Sequence, residues 1–186
     1  MTVMTLATER DERGLSQLCA SGCTALAAII PLGVVGLWSV GSWEVLSLTH
    51  LVPADIVHTF KAGVQPWQRL AGAAIDVVPA LIVSVGLLQA RGALRAFRRG
   101  DYFAAEVVMG LKGYAAASFW AAAFALVTVP VLSVVLTSAN APGHREFTLD
   151  LSGAQVLNLL GGAILWVIAQ AMGRAREIAR ENAQFV

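Results

Sequence analysis

Asp76 poses the chain's main chemical question. It lies in LAGAAIDVVPALIVSVGLLQA, residues 70–90, which holds no other charged side chain. A carboxylate at bilayer depth costs ~2.5–3.5 kcal/mol on insertion scales, so it tends to face protein or water. Arg69 precedes it by two helical turns, roughly 10 Å along the axis, on the same face. Three roles are open to Asp76. It could make a structural hydrogen bond to another span, with Asn158 or the backbone freed near Pro79 as partner. It could sit shallowly, near the headgroups. It could relay a proton or ion or bind a ligand, but the chain shows no second ionisable group at depth to complete a relay.

The remaining reactive side chains offer less. His50, His58 and His144 match no ligand spacing, and no cysteine pair or carboxylate cluster completes a metal site. Cys19 and Cys23 are four apart, on one helix face with Ala20, Ser21, Gly22, Thr24 and Ala27. Two cysteines so placed bridge poorly within a helix, and the small-residue surface suits close helix packing. Palmitoylation or redox sensing is the alternative role for these thiols. Gly161 and Gly162, with Gly33 and Gly36, are read as packing positions too. There is no glycine-rich phosphate loop, no G-x-S-x-G, no H-E-x-x-H and no C-x-x-C. Neither catalysis, a cofactor nor a metal is expected, and a net charge of +1 gives no reason to expect direct nucleic-acid binding.

These residues must be carried by membrane helices. The 186 residues are 57% hydrophobic and 13% charged, against about 25% charged in soluble domains, and the mean hydropathy is +0.69. Residues 14–43, 113–144 and 151–173 are free of charge. Each exceeds the ~20 residues a helix needs to cross the hydrocarbon, where backbone groups must be satisfied within the segment. With the Asp76 stretch, four spans are expected, at about 17–40, 68–90, 114–137 and 153–173, in one membrane domain covering 1–186. The first apolar run is too long for a signal-peptide core, and ASGC at 20–23 precedes that run rather than following it.

Charge asymmetry sets the threading. Of the 13 Lys and Arg residues, all but Lys61, Arg69 and Arg145 fall in the N-terminal tail, the 91–112 link or the 174–186 tail. Under the positive-inside rule those three segments are cytoplasmic. Trp38, Trp43 and Trp67 gather at the outer end of the first hairpin, as an aromatic belt would. Residues 44–66 are too apolar for a plain loop and suit an interfacial segment. The expected architecture is an all-α four-helix bundle in a bacterial inner membrane, both termini inside and in contact with membrane lipid.

An internal repeat runs at a constant offset of 81 residues. QARGALRAFRRGD, from 89, matches QAMGRAREIAREN, from 170, through Gln89/Gln170, Gly92/Gly173, Arg95/Arg176 and Arg99/Arg180. Two parallel helical hairpins, each ending in a basic cytoplasmic stem, would produce this match. So would convergence on a common juxtamembrane composition. Arg91, Arg95, Arg98 and Arg99 on one stem, and Arg174, Arg176 and Arg180 on the other, are either snorkelling anchors or contacts for a cytoplasmic partner or anionic lipid. Arg174–Glu177 and Arg176–Glu181 offer cross-sign contacts. DYFAAEVVMGLK, 101–112, is expected to form a short helix before the third span.

FRRGDYFAAEVVMGLKGYA, 97–115, and ILWVIAQAMGRAREIARENAQFV, 164–186, together resemble a bacterial four-span membrane domain family of unknown function. That family's inter-span pattern is F-x-x-G-x-x-F followed by a short helix and a glycine. Its closing span runs into R-A-x-x-(I/L)-x-x-E-N. The chain departs from it at Ala104, where the pattern favours a Ser or Thr helix cap. The resemblance implies a neighbourhood of small helix-turn-helix regulators, and hence a membrane protein that restrains or informs one. It supplies no catalytic residues. The alternatives are an accessory subunit of a larger membrane complex, or an oligomeric transporter or channel built around Asp76.

Overall fold

The computed structural model describes residues 2–49, 51–52, 65–99, 104–138, 140, 147 and 153–182. Five helices account for nearly all of them: α1 (Thr2–Val40), α2 (Trp43–Leu48), α3 (Pro66–Arg98), α4 (Ala105–Thr137) and α5 (Gly153–Asn182). Among the described residues there is no strand. Four helices are long and apolar enough to cross a membrane, over Gln17–Val40, Pro66–Phe97, Ala105–Thr137 and Gln155–Ile178.

The helices overrun the expected spans at one end. α3 continues to Arg98, so the first stem is the same helix as its span, and α5 does likewise through the second. The short helix expected before the third span is the first two turns of α4. No proline lies between Ala105 and Gly113, and Val107 and Val108 are buried there. Pro31, Pro79 and Pro130 each lie inside an unbroken helix. Hydroxyls inside the spans turn back onto their own helix: Ser84 Oγ donates to the Ala80 carbonyl at 2.8 Å and Thr137 Oγ1 to the Ser133 carbonyl at 2.7 Å. That satisfies a polar group where water is absent.

Extensive pairing runs between α1 and α3, α3 and α4, and α4 and α5. The bundle is therefore an open row, with α3 and α4 central and α1 and α5 on its flanks. The apolar windows of α1 and α5 are mostly exposed, with Leu26, Ile29 and Leu32 on one and Leu157, Leu160 and Val167 on the other. Lipid covers such faces at no hydrophobic cost.

Candidate functional site

At the pole where α1 ends and α3 begins, three side chains of α3 organise the packing. Gln65 stands just before the helix and Pro66 takes its first position, where the missing N–H costs nothing. Gln68 is 1% exposed. Its Oε1 accepts from the Gln65 N–H at 2.9 Å, and its Nε2 donates to the carbonyls of Val135 and Leu136 at 3.2 and 3.0 Å. One carboxamide thus serves the Gln65 N–H at the start of α3 and two carbonyls in the last turn of α4.

Four and eight residues on, the same face presents Gly72 and Asp76. Trp38, 1% exposed, lays its indole across Gly72, so close that a β-carbon there would overlap the ring. Trp38 Nε1 then donates to Asp76 Oδ2 at 2.9 Å. Asp76 is buried, and its partner is neither Asn158 nor backbone near Pro79: Asn158 is exposed on α5, a helix that pairs with α4 rather than α3. Arg69 Nη1 donates to the carbonyls of Trp38 and Gly41, each at 3.3 Å, at the end of α1. Arg69 and Asp76 therefore both act on Trp38, one on its backbone and one on its ring. Trp38 is a core anchor, not a belt residue; with Leu46, Val52, Leu132 and Leu136 it forms a buried cluster. Trp67 remains half-exposed.

The opposite pole gathers the arginines. Ala93, Ala96 and Val107 pack together with Phe97 and Met172, joining the ends of α3, α4 and α5, and Gly173 lies beside Val108 and Lys112. Arg91, Arg95 and Arg99 stand on α3, and Arg174, Arg176 and Arg180 on α5. The Arg98 side chain lies outside the described residues. Arg99 pairs with Glu106 across exposed surface. Among the described residues the expected pairs of Arg174 with Glu177 and Arg176 with Glu181 do not form. Exposed pairs of this kind gain little against side-chain entropy.

Of the expected packing positions, Gly162 lies against the α4 backbone, where a β-carbon would stand 3.2 Å from Phe119 N. Gly161, Gly33 and Gly36 meet no neighbour within 4 Å, and Cys19 is exposed with Cys23 partly so. Successive helical residues point about 100° apart, so only one glycine of the adjacent pair can face α4. His50, His58 and His144 lie outside the described residues, among which no group of three or more His, Cys, Asp or Glu could hold a metal.

Four apolar crossings, hydroxyls turned onto their own helices and arginines gathered, Arg69 aside, at one pole define a multi-pass helical membrane protein. The chain belongs to the DUF2975 family, described as protein of unknown function, which matches residues 24–186. Comparison with curated proteins and with solved structures yields no match.

Proposed function

We propose that the protein is a non-enzymatic regulator of the bacterial inner membrane that docks a cytoplasmic protein on the stems of its basic pole. The observation carrying this reading is that α3 and α5 run beyond their apolar stretches as unbroken helices bearing arginines. Among the described residues Arg174, Arg176 and Arg180 hold no ion pair. Guanidinium groups displayed on a rigid helix suit carboxylates of a partner, which they engage through paired N–H donors. The positive-inside rule puts this pole, and with it both termini, in the cytoplasm. A small helix-turn-helix regulator is the partner the stems would hold. A signal at the other pole or in the bilayer would release it by shifting the bundle between packings.

A photo-crosslinking residue at Ile178, which is 58% exposed on α5, tests this in native membranes. The expected result is an adduct with a small DNA-binding protein, lost when Arg174, Arg176 and Arg180 are all replaced by Gln at unchanged membrane abundance. Adducts with integral membrane proteins alone would overturn it and favour an accessory subunit, the reading that the uncovered faces of α1 and α5 support. The Trp38 bond to Asp76 supports a structural role for that carboxylate over a transport site.

A further inference from the structure

The α1–α3 pair is clamped at one pole by Trp38 and Asp76 and parts at the other. There it leaves a cleft of about 780 Å³. Arg91, Arg95 and Arg99 line one wall, and Gln17, Ser21 and Thr24 the other. The arginines recur every four residues, so they follow one face of α3 with roughly 6 Å of rise between them. Among the described residues no acidic side chain lines the cleft. Arg99 is held by Glu106, while among the described residues Arg91 and Arg95 have neither ion pair nor hydrogen bond. The Ser21 and Thr24 hydroxyls donate to the Leu18 and Ala20 carbonyls of their own helix, which leaves their oxygens able to accept.

The cleft lies where the apolar run of residues 70–90 on α3 gives way to Arg91, the level at which snorkelling arginines meet lipid headgroups. Leu88, 48% exposed, lies three residues below Arg91 on the same face. A ligand seated here meets cationic donors at the level of lipid phosphates, hydroxyl acceptors opposite them, and an apolar surface on the membrane side. We propose that the cleft is a binding site for the headgroup of an anionic phospholipid carrying a hydroxylated glycerol. Arg91 and Arg95 donate to its phosphate, Ser21 and Thr24 accept from its glycerol hydroxyls, and its acyl chains run down past Leu88. The site uses arginines of the α3 stem that face α1, whereas the docking test reads those of α5, so it stands whether or not that partner exists.

Native mass spectrometry of the full chain released from nanodiscs tests the site, with phosphatidylglycerol and phosphatidylcholine supplied in equal amount. The expected result is retained phosphatidylglycerol, reduced about 30-fold in Arg91→Gln/Arg95→Gln, at roughly fivefold per arginine. The same charge removed by Lys61→Gln/Arg145→Gln should leave retention unchanged. Ser21→Leu, which narrows the cleft without changing charge, should also lower retention. That variant keeps the test decisive if the arginine pair fails to fold. Equal retention of the two lipids, or equal loss in both charge variants, overturns the proposal. Displacement by soluble glycerol phosphate at the lipid's own concentration overturns it in favour of a soluble anion.

Discussion

The Trp38–Asp76 contact makes an intramembrane carboxylate tolerable: the indole N–H and the aromatic ring together remove Asp76 from lipid. Removing the donor should hurt more than neutralising the acceptor. Trp38→Phe leaves a buried carboxylate short of a partner and should cost about 1–3 kcal/mol. Asp76→Asn keeps an oxygen that can accept from the indole and should cost less. Unfolding by SDS titration in mixed micelles measures both, and an equal loss would argue against the bond as a stabilising element. Gly72→Ala should cost about 1–3 kcal/mol through overlap with the indole. Adding Trp38→Leu to it should recover part of that loss, because the overlapping ring is gone.

Individual helices are fixed by their ends and by the faces they turn to one another. α4 begins after Ala104, whose side chain makes no cap hydrogen bond. Ala104→Ser should supply one and raise stability by about 0.5–2 kcal/mol, read as a higher melting temperature in detergent. The two adjacent glycines of α5 give a sharper comparison. Gly162→Leu should separate α5 from the α4 backbone and destabilise the chain, whereas Gly161→Leu, facing open space, should be nearly neutral. Similar losses from both would mean that α5 is rotated from the orientation described.

Across the whole molecule, the basic pole and the Trp38 pole lie at opposite ends of an open helical row. Reporter fusions at residue 100 and after Val186 should both read as cytoplasmic, and a fusion within 141–146 as external. A periplasmic signal at residue 100 would reverse the threading. The expected threading rests on charge-free runs and arginine-rich links, which are one-dimensional properties of a chain. The unbroken passage from span into stem was within reach, since no proline separates Gly113 from Ala105 or Phe97 from Leu87. The partner of Asp76 was not legible. Asn158 is the polar residue a reader of the sequence reaches for, yet Trp38 holds the bond from a position that resembles a belt aromatic.

The sequence by itself determined that four apolar segments cross a bilayer and that the arginines collect at one end. Hydrocarbon imposes helix on any such run, and the cost of burying charge keeps the basic residues outside it. Tertiary structure alone decided which faces meet. In lipid the outward side of a helix is as apolar as the inward side, so the pattern that marks a buried face in a soluble helix is blank here. The order of the row, the seat of Trp38 on Gly72, the service of Gln68 to two helix ends and the cleft beside Arg91 and Arg95 come from lateral packing. That packing is set by small residues and a few polar contacts, whose partners lie far apart in the chain.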